Sequence, residues 1–207
     1  MLDRGMDHVI AVMSKKGGVG KTASALHLAA HAGMAGHRTL LIDGDNQQFA
    51  RGWIRSEVPF DLMDVEAGIP VMDGYDVVVI DAQGGLPDED VRVLGELATT
   101  VLLPCVPEWQ SVRGMADAAQ MLDEAGVDGG KIRVLLTMDL RQGQATADAR
   151  AELEGAGLRV LGATIRNSVA VRHASTAGTL VQRVPGVAGK MVFEDYRQAA
   201  RELGLIG

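Results

Sequence analysis

The run Ser14-Lys15-Lys16-Gly17-Gly18-Val19-Gly20-Lys21-Thr22 constrains this chain more than any other stretch. Before it stands a short apolar segment, Val9-Ile10-Ala11-Val12-Met13, which reads as a buried parallel strand. After it, residues 23–33 are rich in Ala and Leu and read as a helix. The glycines therefore fall at a strand-to-helix turn. Backbone N–H groups and the positive end of a helix converge there, which makes a cradle for phosphate. Gly17, Gly18 and Gly20 let the backbone wrap closely around an anion without Cβ clashes. Gly17 to Ala23 are accordingly the expected nucleotide-binding residues, Val19 among them. Lys21 has the reach for β- and γ-phosphates, and the Thr22 hydroxyl suits Mg²⁺.

The rest of the chain alternates strands and helices. Strands are expected at residues 38–43, 76–81, 99–106, 132–138 and 158–163. Helices are expected at 46–57, with Asn46 as cap, and at 108–125, 144–154 and 192–205. Residues 58–70 read as irregular, with an edge strand near 60–65. This order argues an α/β fold, a mainly parallel sheet with helices on both faces; together with the glycine loop it resembles a single P-loop NTPase domain over residues 1–207. At 207 residues the chain holds one such domain with a sizeable core. Hydrophobic residues are 47% of the total but aromatics only 3%, so the core must be aliphatic.

Two of these strands end in acids. In open parallel sheets the carboxyl ends of the strands border the ligand crevice. Asp81 closes Val77-Val78-Val79-Ile80 and fits an acid that holds Mg²⁺ directly or through water. Asp43 and Asp45 lie in Ile42-Asp43-Gly44-Asp45-Asn46-Gln47. Ala82-Gln83-Gly84-Gly85 is glycine-rich and fit to move with a γ-phosphate, with Gln83 able to orient water.

The loop departs from G-x-x-x-x-G-K-[ST], which would place Gly where Lys15 stands. Lys16-Gly17-Gly18-Val19-Gly20-Lys21-Thr22 instead resembles the deviant Walker A motif of the ParA/MinD superfamily of ATPases. The resemblance implies that Lys16 crosses a dimer interface to the partner's ATP and that Lys21 acts in cis. Asp43-Gly44-Asp45-Asn46-Gln47 resembles the family's D-x-D-P-Q pattern, with Asn46 in place of proline. By that likeness Asp43 faces the Mg²⁺ shell and Asp45 positions the attacking water. Gln47, Trp53-Ile54-Arg55 and Thr100 to Pro107 look like the short plasmid-partition ParA proteins. The likeness covers essentially the whole length and is loose after about residue 140. It implies an ATP-dependent sandwich homodimer that binds nonspecific DNA and associates with the nucleoid. A ParB-like centromere-binding protein or cargo adaptor would stimulate its ATP hydrolysis. Arg141, Arg166 and Arg172, with His173, fall where such relatives place residues that grip the DNA backbone.

Other features narrow the choice. Thr137-Met138-Asp139-Leu140 lacks the lysine of the N-K-x-D box of GTP readers, so ATP is the expected nucleotide. Cys105 is the only cysteine, which excludes an intramolecular disulfide and a Cys-based metal site within one chain. The segment from Met1 to His8 carries acid and no apolar core, and no apolar run nears the roughly 20 residues a spanning helix needs. A cytoplasmic location is expected. The net charge of −7 requires any DNA contact to come from a local basic patch, assembled across a dimer. The alternatives are a MinD-like regulator acting without DNA and a P-loop biosynthetic enzyme. The first needs a basic amphipathic carboxyl-terminal helix. Residues 194–207 mix acids with bases and read as a packing helix without membrane affinity. His27 and His31 are four apart on the first helix and read as packing residues, as do Met115 and Met121.

Overall fold

β-branched and leucine runs place seven parallel strands in one sheet, in the order β3-β2-β4-β1-β5-β6-β7. The computed structural model describes residues 8–207. The expectation about the amino-terminal segment falls mostly on residues 1–7 and so lies outside the described residues. The strands are β1 His8–Val12, β2 Thr39–Gly44, β3 Asp61–Asp64, β4 Val77–Ala82, β5 Thr100–Cys105, β6 Ile132–Asp139 and β7 Val160–Arg166. The helices are α1 Lys21–Met34, α2 Phe49–Trp53, α3 Val65–Gly68, α4 Asp88–Leu97, α5 Trp109–Glu124, α6 Ala145–Gly155, α7 Val169–Ala177 and α8 Val187–Glu202. This is the expected α/β architecture, in its all-parallel form.

Alternating side chains send each strand's residues to opposite faces. On one face Ile10, Val12 and Leu102 pack under α1, α7 and α8. On the other Ala11, Met13 and Leu103 pack under α5 and α6. A third cluster, with Val9, Leu40 and Ile42, lies on β1, β2 and β4. The core is aliphatic as expected, with Tyr196 on α8 the largest fully buried side chain. His27 stacks on Tyr196 at 4.9 Å, and His31 on Phe193 at 3.9 Å, which ties α1 to α8. The His27 ring spends both nitrogens on backbone: Nδ1 donates to the Ala23 carbonyl at 2.6 Å and Nε2 accepts the Val181 N–H at 3.1 Å. Burial lowers its pKa to about 4.

Helix α8 is a packing helix, burying Val192, Tyr196, Ala199 and Ala200. It also closes the edge of the sheet. The Glu202 carboxylate accepts the N–H groups of Gly162 at 2.6 Å and Ala163 at 2.7 Å. Arg150 donates to the carbonyls of Leu161 and Gly162. The β7 edge is thereby spent within the chain and is not left as a template for another strand.

Four expectations are corrected. The helix expected over residues 46–57 is only Phe49–Trp53, and Asn46 does not cap it. Gln48 precedes it at φ 51°. Helices α3, within the stretch read as irregular, α4 and α7 lie outside the expected elements, and the closing helix expected over residues 192–205 is Val187–Glu202. The last strand begins at Val160 and runs to Arg166, three residues beyond the expected end.

Candidate functional site

The glycine loop leaves β1 at the carboxyl edge of the sheet and enters α1 through Gly20. Gly18 at φ 78° and Gly20 at φ 88° occupy the left-handed region that side chains with a Cβ rarely adopt. Gly20 is the residue before the first turn of α1, and that turn contains no acid. Its unpaired N–H groups and helix dipole are therefore left for an external anion. Two side chains hold the loop in shape. The Thr137 hydroxyl, buried at the end of β6, donates to the Val19 carbonyl at 2.8 Å. The Ser14 hydroxyl donates to the Lys16 carbonyl at 2.7 Å and accepts the Lys16 N–H at 3.0 Å.

Lys21 and Asp81 meet at the mouth of this loop. The ammonium lies 2.9 Å from Asp81 Oδ1, with the two side chains 12% and 0% exposed. The β2–β4 register sets Asp43 opposite Asp81, so the two strand-ending acids are neighbours. Burial, assisted by Asp43, raises the Asp81 pKa, against the pull of Lys21 and the Thr22 hydroxyl. Asp81 Oδ2 is buried with no hydrogen-bond partner. A buried acceptor left unpaired is costly and calls for a ligand. Thr22, Asp81 and Asp43 together offer the hard oxygen donors that suit Mg²⁺, which takes one or two carboxylates and completes its shell with water and substrate phosphate. Among the described residues no group of three or more His, Cys, Asp or Glu forms an all-protein metal cage.

The loop after β2 is organised by its own acids. Asp43 Oδ2 accepts the Arg51 N–H at 2.9 Å, and Oδ1 accepts that of Asp45 at 3.3 Å. Asp45 Oδ1 accepts the Gln47 N–H at 2.9 Å. Asp45 is half-buried on the face that holds the glycine loop. Lys16 is exposed, and its ammonium donates to the Ser111 hydroxyl near the start of α5 at 3.4 Å. Lys15 is exposed too, and its ammonium donates to the Asp117 carbonyl at 3.2 Å.

The three arginines part company. Asp195, buried on α8, accepts the Arg166 guanidinium through Nε at 2.6 Å and Nη2 at 2.7 Å. It accepts Arg141 Nη2 at 3.1 Å as well. Arg141 and Arg166 thus spend their charge inside the chain. Arg172 on α7 is exposed, and its side chain makes no hydrogen bond or ion pair among the described residues.

Beside the phosphate loop a cavity of about 310 Å³ opens between the ends of β6 and β7. Gly20 and Ala23 form one side, Ile165 and Val171 give apolar walls, and Asn167 and Ser168 give polar edges. Its position next to the α1 amino terminus and its mixed lining suit the base of a nucleotide whose phosphates lie on the loop. Sequence reasoning missed Ser14, Thr137, Asn167 and Asp195. A strand end placed at Arg166 would have pointed to Asn167, because polar residues just past parallel strands line the crevice. Met138 and Arg141, at φ 55° and 57°, add local strain at the same edge of the sheet.

Comparison with known proteins shows the family and the fold. Residues 10–181 match the family described as the CobQ/CobB/MinD/ParA nucleotide binding domain. The chain is 31% identical over 205 residues to the maintenance of carboxysome distribution protein A of Gloeobacter kilaueensis, covering 94% of this chain and 93% of that protein. It is 28% identical over 242 residues to the chromosome-partitioning ATPase Soj of Thermus thermophilus, covering 94% of each. Among solved structures it resembles an ATP complex of a Cyanothece McdA variant, with a TM-score of 0.76, 18% identity and 98% of both chains covered.

Proposed function

The chain belongs to the CobQ/CobB/MinD/ParA nucleotide-binding family, and from that premise we propose that it is a ParA-type ATPase that positions a cargo. One observation carries the reading: a lysine at the end of a left-handed glycine loop, the first residue of α1, paired with a buried acid that has a second, unpartnered oxygen. That arrangement binds MgATP. The loop amides and the α1 amino terminus hold the phosphates. Lys21 turns from Asp81 to the β- and γ-phosphates. Thr22 and Asp81, with Asp43 beside them, take the Mg²⁺, which neutralises charge on the phosphates when bound. Asp45 orients the attacking water.

The same edge of the sheet is the face on which two subunits meet. Phe49, Trp109, Met138, Leu140 and Val169 are exposed there, each at or beyond the carboxyl end of a strand. Large apolar side chains gathered on one face mark an interaction surface. In the ATP-bound dimer Lys16 leaves Ser111 and reaches across to the partner's phosphates. The dimer holds nonspecific DNA, with Arg172 the contact among the three arginines whose charge is not already spent. A partner protein accelerates hydrolysis and releases the dimer. The relatives named for carboxysome distribution and chromosome partitioning support cargo positioning as the purpose. No helix among the described residues is long and apolar enough to cross a membrane.

Gel retardation of sequence-unrelated duplexes tests the reading. Binding should require MgATP and fall steeply with salt, by counterion release. Arg172→Glu should weaken it when compared at saturating MgATP, with ATP affinity measured in parallel because Arg172 borders the 310 Å³ cavity. An ATP-saturated protein that retards no duplex at low salt would contradict the DNA role.

A further inference from the structure

Helix α7 joins two parts of the molecule that the sequence keeps far apart. Its amino end borders the 310 Å³ cavity, which Ser168, Val171 and Arg172 help to line. Its carboxyl end and the residues that follow hold the chain leaving α2. The Trp53 indole N–H donates to the Thr179 carbonyl at 2.9 Å, and the Arg55 N–H to the Gly178 carbonyl at 2.9 Å. The Arg55 guanidinium donates to the Thr176 carbonyl at 2.6 Å, and the Ser56 hydroxyl to that of Thr179 at 3.2 Å. Gly178, at φ 72°, is needed for this approach, because a Cβ there would lie 2.7 Å from Arg55 Nε.

The short helix α2 also holds the acid loop. It is five residues long, and two positions before Trp53 the Arg51 N–H donates to Asp43 Oδ2. The Gln48 N–H donates to the Asp45 carbonyl at 2.8 Å, and the Gln48 carbonyl accepts the Gly52 N–H at 2.8 Å. A shift of α2 therefore reaches both acids. Helix α7 is nine residues, about 13 Å at the helical rise, and so spans from the cavity to this junction. Its buried residues are Ala170 and Ala174, small side chains on which a packed helix slides with little rearrangement.

We propose that Trp53 and Arg55 are positioning residues that make turnover, and not only binding, depend on the base of the nucleotide. A base in the cavity touches the first turn of α7 and favours one seat of that helix through contacts the other seat lacks. The bonds at the far end pass that seat to α2, which sets the carboxylates of Asp43 and Asp45. A triphosphate without a base occupies the glycine loop and leaves α7 unset. The proposal rests on the ATPase reading and on the base lying in the cavity.

The test uses the full chain with MgATP and with magnesium tripolyphosphate. In the wild type kcat for ATP should exceed that for tripolyphosphate about tenfold or more. The paired change Trp53→Phe with Arg55→Ala keeps an aromatic ring beside His27 and removes both side-chain donors. It should bring kcat for ATP down to the tripolyphosphate value, with KM for ATP changed less than about twofold. Arg55→Lys alone, which still donates to the Thr176 carbonyl, should keep most of the difference. Equal losses on both substrates would reduce Trp53 and Arg55 to structural residues and overturn the proposal. So would an unchanged kcat for ATP, or a wild type that turns over both substrates alike. A second readout needs no hydrolysis. The Trp53 indole N–H resonance should shift at saturating MgATP and stay in place with magnesium tripolyphosphate. Equal shifts, or none, would overturn the coupling. ATP binding without turnover would refute the ATPase reading and leave this resonance to decide the coupling. Equal affinity for the two ligands would take the base out of the cavity and the proposal with it.

Discussion

Replacing Lys21 by Met removes the counter-ion of a carboxylate that is fully buried and 2.9 Å away. With the lysine side chain itself only 12% exposed, the pair falls in the buried class, where loss of one partner costs about 3–5 kcal/mol because the other charge stays behind. For a chain of this size each kcal/mol moves the melting temperature by about 2–4 °C, so a fall of roughly 6–20 °C is expected at neutral pH. The pH dependence gives a second handle. Burial already raises the Asp81 pKa, and loss of Lys21 raises it further. A raised folded pKa means stability that is present at low pH and lost as pH climbs through that pKa. The deficit of Lys21→Met against wild type should therefore shrink as the solution is acidified. Adding Asp81→Asn removes the stranded charge and should recover most of the stability at neutral pH without recovering ATP binding. Thermal melts of the three proteins across pH decide it. A deficit that does not change with pH, or that survives in the double variant, would refute the reasoning that Asp81 is held as an ion by Lys21.

Two further outcomes follow from buried groups away from the phosphates. With its pKa lowered from 6.5 to about 4, His27 contributes stability that is full above pH 6.5 and lost as pH falls toward 4. The amount is about 3 kcal/mol, and urea titrations should show this slope in wild type and not in His27→Phe. Asp195→Asn weakens the hold on Arg141 and Arg166 and so loosens the loops that wall the 310 Å³ cavity. ATP affinity should fall about tenfold while tripolyphosphate affinity stays unchanged, and calorimetry showing equal losses for both would place the base elsewhere.

Local signals were legible and long-range ones were not. Val77-Val78-Val79-Ile80 reads as a strand because β-branched residues buried on both faces have no other economical use. The glycine loop reads as a phosphate cradle because its chemistry is complete within nine residues of sequence. Helix α4 escaped notice because it starts after Pro87 with three acids and exposes most of its residues. Helix α7 carried a legible signal that went unused: the Ser168 side chain accepts the Ala170 N–H as a cap. The expected helix over residues 46–57 shrank because tertiary partners claim its ends. At its start Asp45 Oδ1 takes the Gln47 N–H, and at its end the Arg55 N–H goes to the Gly178 carbonyl at 2.9 Å and not to Arg51 one turn back. Arg141 and Arg166 looked like surface charges because the acid that neutralises them lies 54 and 29 residues away. No spacing rule connects such partners before the fold does.

The most direct test of the account is the mass of Asp45→Ala in MgATP, measured by light scattering after size exclusion. The carboxylate of Asp45 acts on water and not on nucleotide, so this variant should bind MgATP, fail to hydrolyse it and accumulate as a dimer. The predicted result is a species of twice the 21.9 kDa chain mass, absent without ATP and absent when Lys16→Ala is added. A variant that is saturated with MgATP yet runs as a 21.9 kDa monomer would contradict the ATP-closed dimer on which the proposed function depends.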